Sequence, residues 1–548
     1  MVMDRFINIE RNITDNIGSF FDHVKHYKRF EERPFLKSEK STTTILLGGF
    51  TSRHDYFVRA GIEGLGYKVQ HLPTPNLEMY HIGREYCNNG MCNPTYFTVG
   101  NLIHYLKKLE AQGMSRDYTI KNFVFFTAGA CGPCRFGMYE GEYRLALRNS
   151  GFDGFRIITF QQVEGFNQAA RGNGLEMNEE FFLGILIGIV LGDIVNDVGY
   201  KIRPYEKNKG QTDKILSEVT EKIFQTIKNK QSLLSDSRII KAVQKITRTG
   251  STGLFALILD EIFTRVYPDV LKELSEKVSQ IEVDYLRQVP VVKITGEFWA
   301  QTTEGDGNFK MYKYLEGEGA EVIVEPVSTW LLYLLYDGNQ YLTDRSRINK
   351  TIKSKLNYLK KKFLFKLGEF ILTKEYNRFR KALHFLPQPL TDQYLLERLA
   401  HKYYNSRARG GEGHLEVAKS IYHTVNHLSH MVLSLKPFGC LPSTQSDGVH
   451  SVVTSHYPEM IFLPIETSAE GEINAYSRVQ MALTEARLRC KAEFKESLNE
   501  TGLTEAKVRE YISKNPKMQN PLFQIPKVNG AVSRAASIVY FVNKQMPT

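Results

Sequence analysis

Disulfide-forming capacity is the first thing this chain lacks. Six cysteines in 548 residues are too few for a secreted scaffold built on disulfides. Long hydrophobic runs are missing too. The longest, Phe181 to Leu191 (FFLGILIGIVL), stops before Asp193 and falls short of the ~20 apolar residues of a membrane span, so it predicts a buried helix. The opening residues MVMDRFINIERN contain no apolar core of a signal peptide. No G-x4-G-K-[S/T] loop, internal repeat or low-complexity tract is present. These absences exclude a disulfide-rich secreted module and an ATP site of the P-loop kind, and the expected setting is cytoplasmic, with no membrane partner.

What is present reads as a packed globular protein. Its 42% hydrophobic and 24% charged residues exclude a disordered or collagen-like chain, and 12% aromatics can fill sizeable cores. The length alone predicts about three or four domains. The net charge of +11 points to an acidic partner, but much of the excess lies in one stretch, Ser346 to Leu383. There Ile352, Leu356, Leu359 and Phe363 recur at helical spacing, which predicts a pair of basic amphipathic helices. Their charged side is either a solvated face over a core or a docking face for an acidic partner protein. No nucleic-acid-binding signature accompanies it, so nucleic acid is not expected as a partner.

Along the chain, residues 1–41 predict an N-terminal helical arm and residues 42–165 a first α/β domain. Its strands are TTTILLGGF, YKVQHLP, KNFVFFTAG and FRIITF, separated by helical stretches. Residues 166–288 form a mainly helical insertion. Residues 289–548 form a second α/β region with VPVVKITGEFW, AEVIVEP, HMVLSLKPFGC and YPEMIFLPIE as strands, the basic helices, and a helix from Ile473 to about Leu498. Strands alternating with helices imply parallel, doubly wound sheets, here two or three flavodoxin-like units with helical insertions.

Five cysteines fall where an open α/β sheet binds ligands, at loops following strands or preceding helices. Cys87 and Cys92 form C-x4-C, Cys131 and Cys134 form C-x2-C, and Cys440 ends a strand ahead of Leu441-Pro442. Their neighbours are Gly, Asn and Pro rather than the apolar surroundings of an ordinary buried thiol. Converging thiolates suit an iron–sulfur cluster or another soft metal, and helix N-termini can stabilise its negative charge. Structural zinc fits the same spacings. A redox dithiol at Cys131 and Cys134 leaves the other three cysteines unexplained.

The stretches C-N-P-T-Y-F-T-V-G from Cys92, G-P-C-R-F-G-M-Y from Gly132, R-P-Y-E at Arg203 to Glu206, G-E-G-H-L at Gly411 to Leu415 and P-F-G-C-L-P from Pro437 resemble, in order, a known group. This group is the iron–sulfur proteins associated with acyl-CoA dehydratase activases: 2-hydroxyacyl-CoA dehydratase component D, benzoyl-CoA reductase and the double-cubane cluster proteins. The resemblance runs from about Ile45 to about Leu488. It implies that Cys92, Cys134 and Cys440 hold a [4Fe-4S] or double-cubane cluster, leaving an open iron position. It also implies a separate ATP-hydrolysing activase, with its own iron–sulfur cluster, as the source of low-potential electrons. The activity implied is reduction or dehydration of a small substrate, a CoA thioester among the candidates, alone as a homodimer or with a dehydratase-like partner subunit. Cys87 and Cys131 depart from the group's pattern. Counted as metal ligands they make five thiolates, more than the four iron corners of one cubane, which favours a larger cluster. The alternatives are a non-catalytic electron-relay subunit and a structural zinc protein.

Further residues carry two readings each. Arg135, beside Cys134, offsets the cluster's charge or pairs with a carboxylate, and Glu466, after the strand IFLPI, is an acid–base group or lies at the cap of the next helix. These two are the candidate catalytic side chains. His423, His427 and His430 fall at i, i+4 and i+7, one face of a helix, without an H-E-x-x-H pattern. GIEGLG at Gly61 to Gly66 reads as a helix C-cap rather than a dinucleotide fingerprint. Cys490, on a charged helix, reads as a bystander, although a sixth thiolate would suit a double cubane.

Overall fold

Apolar runs without alternation form when both faces of a strand are covered. In the first sheet Ile45 and Leu47 enter one core while Leu46 enters another, and Val124 and Phe125 divide the same way. The computed structural model describes residues 32–129, 134–161, 168–169, 172–230, 260–346, 348, 351–408, 411–528 and 530–546. The expected N-terminal arm up to residue 31, Cys131, and residues 231–259 of the helical insertion lie outside the described residues. Chain contacts separate Met1–Arg33 from Pro34–Thr548, and the description below concerns the second unit.

The strands are β1 Thr44–Leu47, β2 Lys68–His71, β3 Phe123–Gly129, β4 Arg156–Gln161, the two-residue antiparallel pair β5 Gln168–Ala169 and β6 Glu176–Met177, then β7 Val291–Gly296, β8 Glu321–Ile323, β9 Met431–Pro437 and β10 Phe462–Thr467. Two four-stranded sheets result, in the orders β2-β1-β3-β4 and β10-β9-β7-β8, every pairing parallel. Numbered within itself, each sheet reads 2-1-3-4, so the fold is α/β with two doubly wound, flavodoxin-like units. In this order the chain leaves the first and third strands in opposite directions, opening a crevice at their carboxyl ends. The crevices lie after β1 and β3 in one sheet and after β7 and β9 in the other.

The apolar run belongs to the 24-residue helix Glu179–Ile202. It is long and apolar enough to cross a bilayer, but 72% of its most apolar window is buried inside the protein. It crosses the helix Ser52–Gly64 with backbones touching: a Cβ on Gly61 would stand 2.6 Å from the Gly184 carbonyl oxygen, and one on Gly188 would stand 2.7 Å from the Val58 nitrogen. Leu65 caps that first helix, as GIEGLG predicts.

Two local expectations differ from the structure. Ser346 to Leu383 contains one continuous 31-residue helix, Ile352–Ala382, rather than a pair. No proline interrupts it, and Gly368 sits against Leu335 of the preceding helix Val327–Arg345. Its core side is Leu372, Tyr376 and Phe379, whereas Leu356, Leu359 and Phe363 are exposed. Apolar periodicity therefore marked the outward row. The three histidines do not share a helix. The helix Gly413–Val425 ends before His427, which takes a left-handed φ of 48°, and His430 sits buried ahead of β9, its Nδ1 accepting the Val291 N–H at 2.9 Å.

Candidate functional site

Three of the candidate thiols stand at helix N-termini. Cys92 is the N-cap of Asn93–Ala111, Cys440 the N-cap of Leu441–His456, and Cys134 the N-cap of the short 3-10 turn Arg135–Met138 that leads into Tyr139–Asn149. Pro94 and Pro442 follow two residues after the first two thiols, in the first helical turn, where the missing N–H costs nothing. None of the three helical starts has a side-chain cap, and the positive end of each helix dipole lies beside the sulfur, with the first-turn N–H groups of Thr95, Phe136 and Ser443 directed at the thiols of Cys92, Cys134 and Cys440.

Tertiary contacts draw these N-termini together. The Asn93 N–H donates to the Phe438 carbonyl at 3.1 Å and the Asn93 amide Nδ2 to the Thr467 carbonyl at 2.6 Å, joining the Cys92 segment to the edge of the second sheet that carries Cys440. Tyr139 lies with its Oη 3.1 Å from the Cys92 Sγ, and the Thr95 Oγ1 is 3.4 Å away, joining Cys92 to the segment after Cys134. Cys92 and Cys440 are buried, Cys134 is half-buried, and none is in a disulfide.

The charges around the thiols are acidic. Glu297 directly follows β7, its side chain accepting from the Ala300 N–H as cap of the turn Phe298–Thr302. Glu412, at the start of Gly413–Val425, accepts from the Trp330 Nε1 at 2.9 Å. Burial, then Glu412, push the Glu297 carboxyl up to about 8. Burial, then Glu416, push Glu412 up to about 7. Burial pushes the Cys134 thiol up to about 12, with Glu412, Glu297 and Cys92 adding to the rise. Cys440 and Cys92 are raised chiefly by burial as well, with Glu297 acting on both. Behind them Glu416 accepts from the Ser443 Oγ at 2.7 Å and from the Ser446 Oγ.

The remaining candidates have other partners. Cys87 caps the end of the helix Leu77–Tyr86, and burial, then Glu142, push its thiol up to about 12. Its acidic neighbour is thus a different carboxylate from the one beside the other three. Arg135 donates to the Gly90 carbonyl, bracing the loop that leads to Cys92, and among the described residues it makes no ion pair. Glu466 is exposed on the edge strand β10. Cys490 is fully buried in the helix Glu472–Thr501. Among the described residues no group of three or more His, Cys, Asp or Glu side chains makes a ready site for a metal ion. Glu297, Glu412 and Tyr139 are the site residues that sequence reasoning passed over. The Gly-Glu that ends VVKITGE is the one local signal that could have marked the first.

Compared with known proteins, the chain matches no family model and no curated protein.

Proposed function

We propose that this chain is a low-potential iron–sulfur protein, with Cys92, Cys134 and Cys440 holding the centre and a separate ATP-hydrolysing activase supplying electrons for reduction or dehydration of a small substrate. One observation carries the reading. Three thiols outside any disulfide, each at a helix N-terminus, stand beside two half-buried carboxyls, and the strongest neighbouring charges on them are acids. A donor set of this kind holds protons until a cation displaces them, and a cationic metal–sulfide core fits it. When bound, such a centre supplies one-electron transfer and an iron with an open position.

The chain's own residues set the surroundings. Tyr139 and Thr95 place hydroxyls on the Cys92 sulfur, and hydrogen bonds to cluster sulfurs tune the reduction potential. Glu297 and Glu412, half-buried, sit in the range where a carboxyl keeps a proton available at neutral pH, the property required of a general acid beside a substrate gaining an electron. Anaerobic purification with iron, sulfide and zinc analysis tests the proposal. The expected result is iron and sulfide in comparable amounts, with visible absorption that disappears when Cys92, Cys134 and Cys440 are all replaced by Ala. Zinc without sulfide refutes the cluster, and full iron retention in the triple variant refutes the ligands. Turnover with activase, reductant and ATP then separates an enzyme from an electron relay.

A further inference from the structure

The helix Ile352–Ala382 has two apolar rows on opposite sides. Leu372, Tyr376 and Phe379 enter the core, and Phe365 meets Gly338 of the neighbouring helix. The other row faces water: Leu356 is 69% exposed, Leu359 59%, Phe363 64% and Phe370 61%. Its spacing is that of a coiled-coil seam. With Leu356 at position a, Leu359 falls at d, Phe363 at a, Lys366 at d and Phe370 at a, so the row repeats every 3.5 residues. The first flanking positions are basic, Lys355 and Lys362 at g and Lys360 at e; Leu367 follows at e and Glu369 at g, the latter held by Lys366 at 2.8 Å and by the Tyr394 Oη at 2.9 Å. The helix carries ten Lys and Arg against two Glu, a net +8 of the chain's +11. Among the described residues Lys355 and Lys360 make no ion pair.

We propose that this outward row docks an amphipathic helix of a partner protein, one whose apolar seam is flanked by Glu or Asp. Charge selects the occupant. In a coiled coil the e and g side chains of one helix lie against those of the other and decide which helices pair. A second copy of this chain is disfavoured. Run parallel it sets Lys355 against Lys360, and run antiparallel about Phe363 it sets Lys360 against Lys360 and Lys362 against Lys362, while Glu369 is already held by Lys366 and Tyr394. An acidic helix turns the same positions into ion pairs. A bilayer surface is a poorer fit, because a helix lying in the interface presents a broad apolar face. Here Lys360 stands between Leu356 and the exposed Leu364, so the apolar face is broken by charge. The proposal is independent of the cysteine site.

The test uses the full chain and a labelled synthetic peptide of four heptads, with Leu at a and d and Glu at e and g, so that its own charges keep it from self-pairing. Fluorescence anisotropy should show saturable binding that weakens as salt is raised, and no binding of the same peptide with Lys at e and g. The double variant Leu359→Asp, Phe363→Asp should bind at least ~10-fold more weakly. Both side chains are exposed, and an unchanged circular dichroism spectrum shows that the variant folds. Absence of binding to the acidic peptide, or equal binding by the variant, overturns the proposal. So does a dimer of the chain that the double variant abolishes, which would make a second copy the occupant. Sedimentation with phosphatidylserine vesicles, lost in the variant and without peptide binding, would make it a membrane.

Discussion

Replacing Asp193 should loosen the joint between the two α/β units, because this one carboxylate caps a helix other than its own. The helix Val327–Arg345 begins after Pro326 with no side-chain cap. Asp193, from the middle of Glu179–Ile202, accepts the Val327 N–H at 2.7 Å, the Ser328 N–H at 2.8 Å and the Ser328 Oγ at 2.6 Å. The His54 Nε2, from the helix that follows β1, stands 3.1 Å from the same carboxylate. All of this is buried, so Asp193→Ala strands two backbone donors and a hydroxyl, at about 1–3 kcal/mol each when unrelieved. Ser328 can rotate towards another acceptor. The adjoining cavity, lined by Asp193, Asn196 and Asp197, has a volume of about 20 Å³, room for a single water that can rescue one donor. The net loss expected is therefore about 3–5 kcal/mol. Asp193→Asn keeps one acceptor oxygen and should lose about 1–2 kcal/mol. Urea midpoints give the magnitude, and hydrogen exchange at Val327 and Ser328 gives the location. An Ala variant within ~0.5 kcal/mol of the parent, with both amides still protected, would show that water replaces the carboxylate and that the cap is not needed.

Three further outcomes follow from other sites. Gly296→Ala should cost about 3–5 kcal/mol in urea unfolding, from a φ of 120° and a Cβ only 2.0 Å from the Leu435 carbonyl oxygen, and an unchanged midpoint would contradict the close pairing of β7 with β9. Burial pushes His450 down to about 4, with its ring stacked 4.1 Å from that of Phe462. Its folded pKa lies below the ordinary 6.5, so only the unfolded chain takes up the proton as pH falls from 6.5 to 4, and stability drops by up to about 3 kcal/mol across that window. His450→Gln should remove that share of the pH dependence, and a parent-to-variant stability difference that is the same at pH 7 and pH 4 would refute it. Cys490→Ser should leave iron content unchanged while lowering stability by about 1 kcal/mol, since it places a hydroxyl in a fully buried site. Iron loss there would make Cys490 a ligand.

Both sheets were legible in the sequence because strands covered on two faces leave unbroken apolar runs such as TILL and FVFF. The helix after Cys92 was legible too, whereas the helix Leu441–His456 after Cys440 was not read, although its Pro442 obeys the same first-turn rule as Pro94. Local rules stop there. Residues 92, 134 and 440 come together through Asn93 reaching Phe438 and Tyr139 reaching Cys92, and neither contact leaves a mark in the spacing of residues. The cap that Asp193 gives to a helix 134 residues away is equally invisible. On the second sheet, Lys293 and Lys436 alternate with apolar residues as on a solvated face, yet both are buried, paired with Glu325 and with Glu416 and Asp447. On the basic helix either apolar row could have faced the core, because a period of 3.6 shows that a face is apolar and not what covers it. Periodicity is a property of neighbours along the chain. Which side is buried, which charges meet and which thiols converge depend on surfaces brought together across hundreds of residues, and only packing decides that.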